Sequence, residues 1–138
     1  LNPSSAASDV YKRQVNTHMD AGRRDSDRAS RKKQLEHIIR TIKQITSSEA
    51  LIVAGDLNLN SKNSEDVKLL ENFKEELRLN DAFEGTKISK RWTILDYFLY
   101  KQGGELNFKI ISTGEDKSFV TEEGALSDHP ALIIELSL

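Results

Sequence analysis

An unbroken apolar run at residues 50–54, followed by Gly55, constrains the fold of this chain more than any other feature. A strand with one solvated face alternates apolar and polar residues, so an unbroken run predicts a strand that is covered on both faces. Such strands lie inside layered folds in which helices pack on a sheet. The run therefore predicts an α/β domain.

Segments on either side of this run have the spacing of covering helices. Residues 27–45 form the first predicted helix, and the second begins at Ser64, a plausible cap, with Glu65 and Asp66 in its first turn. Each has one apolar stripe at helical spacing, formed by Leu35, Ile38, Ile39, Ile42 and Ile45 in the first and by Val67, Leu70, Phe73 and Leu77 in the second. Both helices are expected to pack one face on a sheet.

Four more segments are predicted to be strands: residues 15–18, 92–100, 106–111 and 131–136. In the segment 92–100, Asp96 interrupts an apolar face that it shares with Ile94, Phe98 and Tyr100. A carboxylate there loses its hydration unless a donor or cation meets it, so Asp96 needs a partner. Four or five strands with two helices predict a layered α/β architecture.

Composition narrows the classes of function. The sequence has 37% hydrophobic and 30% charged residues, typical of a globular domain, and no apolar run approaches the roughly 18 residues of a membrane span. A net charge of −2 provides no global positive field for nucleic acid, although a local basic groove remains open. Cysteine is absent, so disulfides are excluded and any metal must use oxygen or imidazole ligands.

The first residues are expected to be a non-native leader. Residues 4–14 resemble, residue for residue, the in-frame translation of a common sequencing adapter, and such scars are excluded from fold reasoning. The alternative is a disordered native tail. The expected organisation is therefore a leader at residues 1–14 and one domain, or part of one, at residues 15–138. The sequence does not indicate a cellular location.

Three short polar motifs stand at predicted strand ends: Asn16-Thr17-His18, Gly55-Asp56-Leu57-Asn58 and Ser127-Asp128-His129-Pro130. Strand ends are where layered α/β folds build their sites. Gly55 permits a sharp turn, after which Asp56 can bind a hard cation or accept a proton, and Asn58 can offer an amide to a phosphate. Taken alone, Gly55-Asp56 is more often an ordinary turn, and His18 could be a capped imidazole at a strand end.

His129 is a suitable partner for Asp96, because an Asp–His pair holds the imidazole and favours its protonated form. A protonated imidazole would bind a phosphate oxygen. The alternative is a structural ion pair between Asp96 and Arg91 or a lysine. A basic cluster also follows His18, and it is either an approach for a polyanion or, more often, a solvated helix start. Its members are Arg23, Arg24, Arg28, Arg31, Lys32 and Lys33.

Taken in this order, the three motifs and Leu95-Asp96-Tyr97-Phe98 resemble the endonuclease/exonuclease/phosphatase superfamily, whose fold is DNase I-like. The resemblance covers residues 15–138 and implies the carboxyl-terminal part of a four-layered α/β sandwich, with the amino-terminal half missing. It also implies a hydrolase that cleaves a phosphoester with Mg²⁺ or Mn²⁺. The substrate class stays open among nucleic acids, phospholipid headgroups and sugar phosphates.

The resemblance also implies a role for each site residue. Asp56 would orient or deprotonate the attacking water, and Asn58 would contact the scissile phosphate. His129, paired with Asp96, would stabilise the negative charge that develops on that phosphate, and His18 would be the second imidazole on the phosphate. Asp128, together with Asp56, would assist at the metal.

This sequence departs from the family pattern in its first half. Family members take an asparagine, a metal-binding glutamate and the glutamate that orients the histidine at His18 from upstream segments, and none of these is in this chain. The 138-residue chain is therefore expected to be inactive as it stands. A non-catalytic binding module of the same fold is the alternative function. Binuclear metallophosphoesterases are a weak third possibility, because the sequence lacks their Asp-x-His and Gly-Asn-His motifs.

Overall fold

The computed structural model describes residues 12–45, 49–91, 95–104 and 107–137. Within these ranges there are three helices, α1 (Asp25–Ile45), α2 (Ser64–Leu77) and α3 (Lys87–Arg91). The strands of the same ranges are β1 (Lys12–His18), β2 (Ala50–Asp56), β3 (Asn80–Asp81), β4 (Asp96–Lys101), β5 (Lys109–Asp116), β6 (Val120–Thr121), β7 (Gly124–Ala125) and β8 (Ala131–Ser137).

The first sheet has the strand order β1-β2-β4-β3, with β1 parallel to β2 and β4 antiparallel to both β2 and β3. One face of this sheet belongs to the main core, where Leu51, Val53 and Leu99 are fully buried together with the apolar stripes of α1 and α2. The other face, which includes Ile52 and Phe98, is only partly buried. The predicted buried strand is confirmed, but its two faces are covered to different extents.

The helices follow the predicted stripes with two differences. Helix α1 begins at Asp25, and its stripe is buried as far as Ile42, whereas Ile45 is half exposed in the last turn. Helix α2 is capped by Asn63 and not by Ser64, because the Asn63 side chain accepts hydrogen bonds from the backbone N–H groups of Glu65 and Asp66. The prediction of Ser64 as the cap was wrong by one residue.

A second, two-stranded sheet consists of β5 paired antiparallel with β8. It meets the partly buried face of the first sheet, where the rings of Tyr100 and Phe108 lie 5.3 Å apart and Leu132 and Ile134 join the core from β8. The prediction of a strand at 106–111 was wrong in its bounds. Pairing with β8 continues to Asp116, opposite Ala131, although the sequence becomes polar there.

Two other strand bounds differ from the prediction. Strand β4 begins at Asp96, and residues 92–94 of the predicted strand lie outside the described residues. Strand β1 begins at Lys12, so it takes in three residues of the predicted leader, while residues 1–11 lie outside the described part of the chain. No described helix is long and apolar enough to cross a membrane.

Candidate active site

The register of the first sheet places three of the predicted site residues in one row. Asp56, the last residue of β2, lies opposite His18 on β1 and opposite Asp96 on β4. Directly opposed residues of paired strands project on the same side of the sheet. Strand pairing alone therefore brings His18, Asp56 and Asp96 together at one end of the sheet.

Gly55 allows β2 to lie close to β1 just before this row. Its φ is +136°, and a Cβ atom at this position would lie 1.9 Å from the Thr17 carbonyl oxygen. No side chain fits that space, and L residues rarely adopt such a φ. The glycine before Asp56 is therefore required by the close approach of the two strands.

Asn58 ties the turn after β2 to the chain that follows His18. Its φ is +50°, in the left-handed region that asparagine tolerates, and its backbone N–H donates to Asp56 Oδ1 at 2.8 Å. Its side-chain Nδ2 donates to the Met19 carbonyl at 2.7 Å, and the Met19 N–H donates to the Asp56 carbonyl at 2.9 Å. One Nδ2 hydrogen is thus used within the protein, and the other can serve a ligand.

His129 reaches the row from the loop before β8, and its predicted pairing with Asp96 is confirmed. His129 Nδ1 lies 2.6 Å from Asp96 Oδ2, and both side chains are about one-third exposed. Asp56 Oδ2 lies 3.6 Å from His18 Nε2 and 4.0 Å from His129 Nδ1. The two imidazoles therefore flank one carboxylate. Within the described side chains, the ion-pair partner of Asp96 is His129, and Arg91's side chain lies outside them.

The electrostatics of the pair favour a protonated imidazole. Burial lowers the pKa of His129, but the hydrogen bond and charge of Asp96, with the charges of Asp56 and Asp128, outweigh burial and hold the pKa above its ordinary value. Burial raises the pKa of Asp96, and the contact with His129 only partly offsets this rise. The raised pKa favours the protonated form of His129, in which Nδ1 is held by Asp96 and Nε2 carries a second N–H that does not take part in that contact.

A polar cleft of about 940 Å³ opens over these residues. His18, Asp56, Asn58, Asp128 and His129 all line this cleft. A smaller, mainly apolar pocket of about 460 Å³ lies on the other side of the same loop and shares the segment from Ser127 to His129 with the cleft. The predicted site residues are thus brought together: five line the cleft, and Asp96 contacts His129 and lines the apolar pocket.

The donor set fits a hard divalent cation. Ligand atoms of Asp56, Asp96 and His129 lie within 4.8 Å of one another, but a protonated His129 has no lone pair to offer, so the carboxylate oxygens of Asp56 and Asp96 are the ligands that suit such an ion. Asp128, predicted as a metal ligand with Asp56, is outside this group and lines the cleft, so its metal role stays a prediction. Mg²⁺ commonly uses one or two carboxylates and completes its shell with water and substrate phosphate, which matches carboxylates at an open cleft.

The sequence did not single out a buried ion cluster that forms part of the wall of this cleft. Arg31 is 1% exposed and Asp66 is 4% exposed, so the prediction of a solvated basic face was wrong for Arg31 and, in part, for Arg28, whose side chain is 21% exposed. A signal was present: Arg31 lies four residues before Leu35, and Asp66 lies four residues before Leu70. Each charge therefore continues the apolar stripe of its own helix.

No protein-family model matches the sequence, and no curated protein matches it either. Solved structures do match the fold. A humanized TDP2 of D. rerio aligns over 91% of this chain and 52% of its own, with a TM-score of 0.66 and 17% identity. A beta toxin from Staphylococcus aureus aligns over 87% of this chain and 50% of its own, with a TM-score of 0.54 and 19% identity.

These likenesses show the fold. The chain has part of a DNase I-like α/β sandwich, as predicted. It spans about half the length of the solved structures that it matches.

Proposed function

We propose that this chain is the carboxyl-terminal part of a metal-dependent hydrolase that cleaves a phosphoester by attack of water. The observation that carries the proposal is the position of Asp56, with one carboxylate oxygen within 4.0 Å of two imidazoles on different elements. A carboxylate flanked by two imidazoles is suited to activating water beside a phosphate and to stabilising the charge that develops on it.

Each residue has a distinct task in this proposal. Asp56 Oδ2 accepts a proton from the attacking water, while its Oδ1 is held by the Asn58 N–H. Protonated His129 donates from Nε2 to a phosphoryl oxygen, because Nδ1 is engaged by Asp96. Asn58 offers its remaining amide hydrogen to the phosphate. His18 lies on β1, the neighbour of β2, and its 76% exposed side chain is free to approach the same phosphate.

The proposed cofactor is Mg²⁺ or Mn²⁺, which Asp56 and Asp128 would help to hold. When bound, such an ion polarises the phosphoryl oxygens and eases departure of the leaving group. The substrate class is a phosphoester of a nucleic acid, a phospholipid headgroup or a sugar phosphate.

The test uses the complete protein that carries this chain, with its upstream reading frame recovered. We expect hydrolysis of a generic phosphodiester with Mg²⁺ or Mn²⁺ that is abolished by EDTA. Asp56→Asn and His129→Ala should each lower kcat about 10²- to 10³-fold, the range for removing a general base or a charge-stabilising donor.

The matched control is His37→Ala, which removes an exposed imidazole on α1 that does not line the cleft and should leave the rate unchanged. Wild-type rates in both Asp56→Asn and His129→Ala would refute the proposed function. Absence of the upstream metal-binding glutamate, with no hydrolysis by the complete protein, would favour a non-catalytic binding module instead.

A further inference from the structure

A buried ion cluster joins α1 to α2 at the wall of the cleft, which Arg28 and Asp66 help to line. Asp66 Oδ1 accepts a hydrogen bond from Arg28 Nε at 3.1 Å, and it lies 3.5 Å from a terminal nitrogen of Arg31. The side chains of Arg31 and Asp66 are 1% and 6% exposed. Charges at such depth are strongly destabilising when one partner is removed, so this cluster fixes the geometry of whatever it contacts.

The same groups hold the two loops that follow β1 and β2. Arg31 donates from one terminal nitrogen to the carbonyls of Asp20 and Gly22, each at 3.0 Å. The second Asp66 oxygen, Oδ2, accepts the backbone N–H of Asn60 at 3.1 Å. One ion cluster therefore anchors the residues 19–22 and the residues 57–60 at once.

These two loops carry the candidate site. Asn58 lies in the second loop and donates to Met19 in the first, next to His18. Tyr97 adds a further support, because its buried hydroxyl donates to the Leu59 carbonyl at 2.7 Å. Only one residue separates Asn58 from Asn60, which Asp66 holds. Asp66, Asn60 and Gly22 line the wall of the same cleft, and the bonds given above connect Asp66 and Arg31 to the site through the backbone of the two loops.

A second ion pair between the same helices provides a contrast. Lys43 and Glu76 also connect α1 to α2, but their side chains are about half exposed and lie far along both helices from Arg31 and Asp66. Burial of the Asp66 cluster is costly by comparison, because Arg31 Nε has no hydrogen-bond partner within the described residues. Apolar residues would continue both stripes without that cost. We therefore expect the buried charges to contribute more to the position of the two loops at the cleft than to the stability of the fold.

We propose that Asp66 and Arg31 are positioning residues, which set the placement of Asn58 and of the chain after His18 for stabilising the phosphate as charge develops on it in the transition state. This inference rests on the proposed function, and it adds the residues that hold the side chains of its site in position. Orienting partners of this kind typically change activity by about 10- to 100-fold when they are replaced.

The experiment compares Asp66→Asn with two controls in the complete protein. Asp66→Asn keeps the shape and an oxygen for Asn60 but removes the charge that the two arginines share. Glu76→Gln removes the exposed ion pair between the same helices. Leu70→Ala removes a buried side chain one helical turn after Asp66 and destabilises the fold without altering the cluster. Arg31→Lys, which cannot bridge both carbonyls and Asp66, is the second test variant.

Each variant is assayed well below its own unfolding midpoint, so that all molecules are folded. We expect Asp66→Asn and Arg31→Lys to lower kcat by about 10- to 100-fold with KM within about twofold, and both controls to keep the wild-type kcat. The Asn58 side-chain amide signal, followed by NMR, should shift in the two test variants and stay in place in the controls.

The possible outcomes separate the two claims. An active protein whose kcat and Asn58 signal are unchanged by Asp66→Asn overturns the positioning role and leaves the proposed function standing. Equal losses of kcat in Leu70→Ala and Asp66→Asn overturn it too, because stability alone would then explain the effect. A protein without hydrolase activity refutes the proposed function, and the Asn58 signal then decides on positioning by itself.

Discussion

The first sheet with its helices and the second sheet differ in how completely they are buried. Leu51, Phe73 and Leu99, in the helix-covered region, are fully buried. On the second sheet, Ile111 is 52% exposed and Ile133 is 49% exposed. Burial of apolar area is the main favourable term in folding, so the two regions are expected to contribute unequally to stability.

The candidate site crosses the boundary between these regions. His18, Asp56, Asn58 and Asp96 belong to the first region, whereas His129 comes from the loop before β8 of the second. The contact between Asp96 and His129 therefore completes the site only when the second sheet is docked on the first. The more buried region therefore supplies Asp56, the proposed base, and the less buried region supplies His129, the proposed donor to the phosphate.

The largest effect is expected from core substitutions in the first region. Phe73→Ala should lower the free energy of unfolding by about 3–5 kcal/mol, the usual cost of removing a buried aromatic side chain. Ile133→Ala, at a half-exposed position, should cost less than about 1.5 kcal/mol. Urea denaturation of both variants, monitored by circular dichroism, measures the difference.

If Phe73→Ala and Ile133→Ala lowered the free energy of unfolding equally, the two regions would not differ in their contribution to stability. The same two variants should also be measured in the complete protein. A larger loss of stability for Ile133→Ala there would show that additional chain covers β8. Such coverage is expected if the protein completes the sandwich of which this chain spans about half.

Much of the first region could be predicted from local sequence. The apolar run before Gly55 predicted β2, and helical spacing predicted α1 and α2, because both signals depend on residues close together in the chain. The Asp96–His129 pair was predictable for a physical reason: a carboxylate on an apolar face needs a partner.

The remainder depended on contacts that local sequence does not encode. Strand β5 extends to Asp116 because β8 pairs with it, and its own sequence becomes polar before that residue. Arg31 was grouped with a solvated basic face, and Asp66 was placed only in the first turn of its helix, because the partner of each lies on a different helix. The row of His18, Asp56 and Asp96 likewise follows from the register between strands. These features were determined by contacts between residues that are distant in the sequence, and not by the local propensity of each segment for helix or strand.

An intermediate effect is expected where the two regions meet. Asp96→Asn removes the charge that raises the pKa of His129, so this pKa should fall and less imidazolium should be present near neutral pH. The basic limb of the activity profile should move to lower pH, and kcat should fall by about 10- to 100-fold. NMR titration of the His129 ring measures the pKa directly.

The same pair links stability to pH. The folded pKa of His129 is raised, so the stability that the pair contributes is fully present below the unfolded pKa of about 6.5 and is lost as pH rises through the folded value. Asp96→Asn should remove this dependence, while the exposed His37 serves as the internal control in the titration. An unchanged His129 pKa in Asp96→Asn would show that the contact between the regions does not set its charge.

The smallest effect concerns which region recognises the charge of the substrate. Arg23 is exposed, lines the cleft and, among the described residues, has no carboxylate partner, whereas Lys117 lines the apolar pocket and lies 3.3 Å from Glu115. Arg23→Ala should therefore raise KM for an anionic phosphoester about two- to fivefold, equivalent to about 0.5–1 kcal/mol, with kcat unchanged. The difference should shrink at high salt, because an exposed charge is screened. Lys117→Ala should leave KM unchanged. A larger rise in KM for Lys117→Ala would reverse the assignment and place charge recognition on the second sheet, beside the donor His129 and away from the base Asp56.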